Sequence, residues 1–108
     1  MEIKEINNFI DGEILRLEDY YKAKDKNELT MAMGLKVVEE IGELFKEILG
    51  HKGYQSKSKL DKLDREEIKK EFADVIFTTL ILAKRFNVDI EEAIKIKMAE
   101  IKKLDYNK

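Results

Sequence analysis

Not one proline interrupts this chain of 108 residues, and only five glycines occur along it. Proline removes a backbone donor and collides with the preceding turn, so its absence lets helices run long. Apolar residues fall at helical intervals from the start: Ile3, Ile6, Ile10, Ile14, Leu17 and Tyr21 draw one stripe, which predicts a helix from Glu2 to about Lys24. Polar Lys24-Asp25-Lys26-Asn27 marks a break. A second helix is expected from near Glu28 to Leu49, stopped by Gly50-His51-Lys52-Gly53, with Val37, Val38, Ile41, Leu44, Phe45, Ile48 and Leu49 as its core face. Tyr54 to Lys62 is polar, basic and aperiodic, the longest expected loop. Asp64 with Glu67, and Asp89 with Glu92, are helix-start signals. They predict a third helix from Arg65 to about Phe86 and a fourth from Ile90 to about Leu104, striped by Ile90, Ile94, Met98, Ile101 and Leu104. The expected architecture is an all-α bundle of four to five helices, a single domain over 1–108.

Composition narrows the chemistry. A hydrophobic content of 44% excludes a disordered chain, and no apolar run approaches the roughly 20 residues that span a bilayer. The first residues lack the apolar core of a signal peptide, so the expected location is cytoplasmic. Lys+Arg (21) and Asp+Glu (23) nearly cancel to a net charge of -2, which offers no general attraction to nucleic acid or a membrane surface. With no cysteine there is no disulfide and no thiolate ligand, and the single histidine, His51, adds little imidazole. Any metal would have to be held by oxygen, as the hard cations Mg²⁺ and Mn²⁺ are.

Two pairs of acids stand out because each sits three residues apart inside an apolar run: Glu40 and Glu43 in Val37-Val38-Glu39-Glu40-Ile41-Gly42-Glu43-Leu44, and Glu71 and Asp74 in Glu71-Phe72-Ala73-Asp74-Val75-Ile76. That spacing puts both members of a pair on one side of a helix, one turn apart. Glu40 lies on the shoulder of the Val37, Ile41, Leu44, Ile48 stripe with Glu43 further round the same side, and Glu71 and Asp74 hold matching places relative to Ile68, Phe72, Val75, Ile76 and Thr79. Antiparallel packing of the two helices would bring all four acids to one edge. On pattern alone, ordinary surface acids balanced by lysines account for them as well as a metal site does. The third helix carries Val75-Ile76-Phe77-Thr78-Thr79-Leu80-Ile81-Leu82 without a charge, with Phe77 and Ile81 pointing away from its stripe. An apolar surface on two sides asks for burial on two sides, so a homo-oligomer, a dimer or dimer of dimers, is expected.

Lys36-Val37-Val38-Glu39-Glu40-Ile41-Gly42-Glu43-Leu44 followed by Glu71-Phe72-Ala73-Asp74-Val75 resembles the EExxE and ExxD signature of the MazG-like, all-α nucleoside triphosphate pyrophosphohydrolases. The resemblance runs from about Lys36 to the fourth helix and includes Asn87-Val88-Asp89-Ile90-Glu91-Glu92-Ala93, a lead-in to the family's last helix. It implies Mg²⁺-dependent cleavage of a nucleoside triphosphate to monophosphate and pyrophosphate, in the service of nucleotide-pool house-cleaning. By matching position Glu40, Glu43, Glu71 and Asp74 would be metal ligands, and Glu39 would bind or deprotonate the attacking water. Lys36 matches a lysine common in the first motif and would meet phosphate oxygens. Lys97, within the stripe of the fourth helix, is a second candidate for that role, or else a lysine reaching past the core to water. The last helix departs from the family's Lys-Met-x-x-Asn-x-x-Arg: Lys97-Met98 match, but Ile101 and Leu104 stand at the Asn and Arg positions.

Other residues invite weaker readings. His51 and the loop lysines Lys52, Lys57 and Lys59 suit a solvated loop, and Tyr20, Tyr21, Phe45 and Phe72 suit either a core or stacking on a base. Phosphoribosyl-ATP pyrophosphohydrolase activity and a non-catalytic helical module that binds metal or nucleotide remain alternatives. A di-iron bundle needs Glu-x-x-His pairs and hence a second histidine.

Overall fold

The computed structural model describes residues 1–22, 25–50 and 65–105. These form four helices and no strand: α1 (Ile3–Tyr20), α2 (Lys26–Leu49), α3 (Arg65–Arg85) and α4 (Ile90–Lys102). The readings that involve Lys24, His51, Gly53, the 54–62 loop and the Asp64 cap fall outside the described residues. Among the described residues, no helix is long and apolar enough to cross a membrane.

Local chemistry explains the helix ends. Asp25, not a residue nearer Glu28, starts α2: its carboxylate accepts from the Glu28 amide at 2.8 Å and satisfies one of the amides that a first turn leaves open. Asp89 does the same for α4 through the Glu92 amide at 3.2 Å. α3 ends on Asn87, whose φ of 54° is left-handed, a conformation asparagine tolerates better than most residues. The Asn87 amide donates to the Lys84 carbonyl and the Val88 amide to the Ala83 carbonyl, both at 3.0 Å, closing a Schellman motif. Gly50 caps α2 in a right-handed helical conformation, so its lack of a side chain is not what ends the helix.

α2 and α3 form the main contact, and α1 packs across α3, with the Phe9 and Phe77 rings 5.4 Å apart. The α2–α3 pair is antiparallel, since Thr30 of α2 meets Arg85 of α3 while Glu40 meets Glu71 and Asp74. Arg85 ties three helices together. Its guanidinium donates to the Lys26 carbonyl at 3.2 Å, to Thr30 Oγ1 at 3.4 Å and to Glu18 at 3.4 Å. Beside it, Lys84 pairs with Asp11 of α1 at 3.0 Å. Among the described residues the buried apolar side chains are Ile10, Leu29, Met33 and Leu44, of which Ile10 is fully enclosed.

Two expected core faces need correcting. On α2, Val37, Leu44 and Ile48 turn inward, but Val38, Ile41, Phe45 and Leu49 are exposed. The run of apolar residues there belongs to two faces: an inner one through Leu29, Met33 and Leu44, and an outer one through Met31, Leu35, Val38, Phe45 and Leu49. On α3, Phe72, Ile76 and Thr79 face out, while Val75, Phe77 and Ile81 are half-buried. A mixed apolar stretch reveals that two faces exist but not which one a neighbouring helix selects. α4 touches the other helices only slightly, and its stripe of Ile94, Met98, Ile101 and Leu104 is exposed.

Candidate metal centre

The antiparallel register brings the acids of α2 and α3 to one edge. Glu40, Glu71 and Asp74 each offer a carboxylate oxygen, and the three oxygens lie within 4.8 Å of one another. Glu71 is the most constrained of them. Its Oε2 is sealed from solvent and has no hydrogen-bond partner. Burial pushes its carboxyl above the ordinary carboxylate range, and the charges of Asp74, Glu40, Glu43 and Glu47 push it further the same way.

Glu43, expected within the cluster, is exposed and lies outside the group of three, acting on Glu71 through its charge. Glu47 is a participant the motif did not single out. It is half-buried one turn beyond Glu43 and adds to the field on Glu71. Its signal in the sequence is the spacing 40, 43, 47, which keeps all three acids on one side of α2.

Lys36 stands one turn before Glu40. Its ammonium lies 3.2 Å from Glu40 Oε1 and 3.4 Å from Glu39 Oε1, and the hydrogen bond to Glu40 holds its pKa above the usual lysine value. Glu39 points to the open side of α2, exposed and engaged with Lys36, outside the group of three. Lys97 is not brought to the acids within this chain. It lies on α4, its side chain 69% exposed, and pairs with Glu100 at 3.1 Å. Ile101 and Leu104 share that exposure.

Three converging carboxylates on facing helices, one with an orphaned oxygen, occupy the very stretch in which a sequence profile described as the MazG-like family matches, residues 32–108. The chain belongs to the MazG-like family. The match covers most of the chain, begins within α2 and leaves α1 outside it. Searches of curated proteins and of solved structures returned no match. Membership accords with the all-helical architecture and points to chemistry of the nucleotide pyrophosphohydrolase type. Within the MazG-like match lie Glu39, Glu40, Glu43, Glu47, Glu71, Asp74 and Lys36, whereas the Arg85 partners Glu18, Lys26 and Thr30 precede it.

Proposed function

We propose that this protein is a divalent-metal-dependent nucleoside triphosphate pyrophosphohydrolase, converting a (deoxy)nucleoside triphosphate to its monophosphate and pyrophosphate. The observation that carries the reading is Glu71 Oε2, an unpartnered carboxylate oxygen closed off from water beside two other acids. An acid group in that setting fits a hard cation, because a cation supplies the partner that burial denies and offsets the mutual repulsion. Glu40, Glu71 and Asp74 would hold Mg²⁺, or Mn²⁺, with Glu43 and Glu47 adding negative potential at its edge. When bound, the ion offsets triphosphate charge and acidifies water.

The remaining roles belong to the chain's own side chains. Lys36 exchanges Glu40 for a phosphate oxygen and so orients the triphosphate tail. Glu39 accepts the proton of the attacking water as the new P–O bond forms and the bridging α–β P–O bond breaks, with pyrophosphate leaving. Its exposed position lets it swing toward that water by a change of side-chain rotamer.

The outer stripe of α2 supports a homo-oligomer. Met31, Leu35, Val38, Phe45 and Leu49 recur at alternating intervals of about three and four residues, completed by Gly42, and all five side chains are exposed. A second copy of the chain is the proposed occupant of that face, and a cytoplasmic nucleotide pool is the proposed setting. The non-catalytic alternative draws on one observation, the exposed Ile101 and Leu104 where family members carry polar groups.

The test is pyrophosphate release from a panel of nucleoside triphosphates with Mg²⁺ or Mn²⁺. Glu40→Gln and Glu71→Gln should each lower it by more than about 100-fold while circular dichroism stays unchanged, since each removes a charged ligand rather than a packed group. Full activity in both variants rules out the assignment. No release from any nucleotide by the parent favours the binding module.

A further inference from the structure

One turn from the acids, on the side toward α1, a cavity of about 130 Å³ opens between the last turn of α1, the first half of α2 and α3. Leu29 and Met33 are buried in its wall, and Tyr21, Ala32, Lys36 and Thr78 line it with them. Two of these residues join it to the acidic edge. Lys36 is one turn before Glu40 on α2 and reaches that carboxylate, and Thr78 is one turn after Asp74 on α3. At about 5.4 Å per turn, the cavity begins one turn from the acids and extends to a second turn at Met33. That is the direction and reach of a sugar and base from a phosphate held at the acids.

The chemistry of the walls suits a base rather than a phosphate. The lining is mostly aliphatic and aromatic, with Lys36 at the end nearest the acids. The Tyr21 ring meets Tyr20 edge-on, with centroids 4.7 Å apart, and offers the cavity an aromatic surface. Thr78 donates its hydroxyl hydrogen to the Asp74 carbonyl at 2.9 Å and the Val75 carbonyl at 3.2 Å, which leaves its oxygen as an acceptor. Size then decides between base classes. An apolar cavity of about 150 Å³ holds one benzene-sized ring. The cavity here is slightly smaller and open on one side, so its walls can surround a six-membered ring and would leave the second ring of a fused bicycle outside them.

We infer that this cavity is the nucleobase subsite and that it selects pyrimidine over purine nucleotides, with Tyr21, Ala32 and Met33 setting the limit. The inference rests on the hydrolase reading for where the phosphates lie, but the selection is a property of the cavity.

The experiment measures initial rates of the full chain on dCTP, dTTP, dATP and dGTP with Mg²⁺, in the parent and in Ala32→Leu. The parent should show kcat/KM about 10-fold or more higher for both pyrimidines, since a pocket favours the base that its walls can surround. Ala32→Leu keeps a strong helix former while filling the cavity, and should raise KM for the pyrimidine substrates about 10-fold with less effect on kcat. Equal kcat/KM for all four nucleotides in the parent overturns the inference whatever the variant does, and leaves the hydrolase reading standing. So does an Ala32→Leu protein with unchanged KM. If the parent hydrolyses none of the four, the hydrolase reading fails, and titration calorimetry with dCMP and dAMP in Mg²⁺ then judges the cavity: tighter binding of dCMP, lost in Ala32→Leu, supports it, and equal or absent binding overturns it.

Discussion

A carboxylate oxygen sealed from water with no donor beside it, as at Glu71, is a cost to the fold that a bound cation would relieve. Its linkage to pH has a definite sign. The folded chain holds the Glu71 proton more tightly than an unfolded chain does, so this group's stabilising contribution is complete below the ordinary carboxyl pKa and is lost as pH rises through the raised one. Without metal, Glu71→Gln and the parent should therefore melt alike in acid, and the variant's Tm should exceed the parent's increasingly toward neutral pH. Added Mg²⁺ should shrink that gap by stabilising the parent alone. Melting curves across pH with and without Mg²⁺ decide it, and a gap that widens toward acid contradicts it.

How far single residues were legible follows from the same site. Glu40, Glu71 and Asp74 were readable because acids inside apolar runs are costly unless paired, and the register of two helices brought them together. Glu43 and Glu39 were less so. Spacing places a residue on a side of a helix, but a side chain's direction depends on the nearest cation, and here Lys36 holds Glu39 outward. Glu47 was missed because it falls outside the motif, although its helical phase is that of Glu40 and Glu43.

At the scale of elements, the two Asp caps have similar local chemistry and should have unlike consequences. Asp25 begins α2 beside the Lys26 carbonyl that Arg85 holds, so losing the cap disturbs a three-helix junction. Asp89 begins a helix that touches the others only slightly. Asp25→Ala should cost about 1 kcal/mol of global stability, a Tm loss of several degrees. Asp89→Ala should leave Tm nearly unchanged and speed amide exchange in the first turn of α4. Thermal melts and hydrogen exchange on both variants test the contrast. Helix positions were legible because caps and breaks are local signals. The stance of α4 was not, since periodicity shows that Ile94, Met98 and Ile101 share a face without showing what covers it.

For the whole molecule, the outer stripe of α2 dominates. Sequence periodicity assigned the doubly apolar helix to α3, and the structure puts exposed apolar residues at regular intervals on α2, with Phe72 and Ile76 of α3 adding to the exposed surface. If a second copy covers Phe45, then Phe45→Glu buries a charge at the interface and should weaken self-association by roughly 30-fold or more, the equivalent of about 2 kcal/mol. Sedimentation over a range of concentrations reads this directly. An equal mass for parent and variant at every concentration argues that the stripe is not the contact.

The α2–α3 pair is built unevenly along its length. Arg85 clamps one end to Lys26, Thr30 and Glu18, while at the other end Glu40, Glu71 and Asp74 repel one another across the same pair. Such a pair behaves like tweezers with a riveted heel and sprung tips. Metal-free protein should exchange amides faster around Glu71 than around Ala83, and Mg²⁺ should even out the difference, which exchange measured along α3 can show. The tips part most easily where the proposed substrate would enter, so the repulsion that weakens the fold would also hold the door ajar.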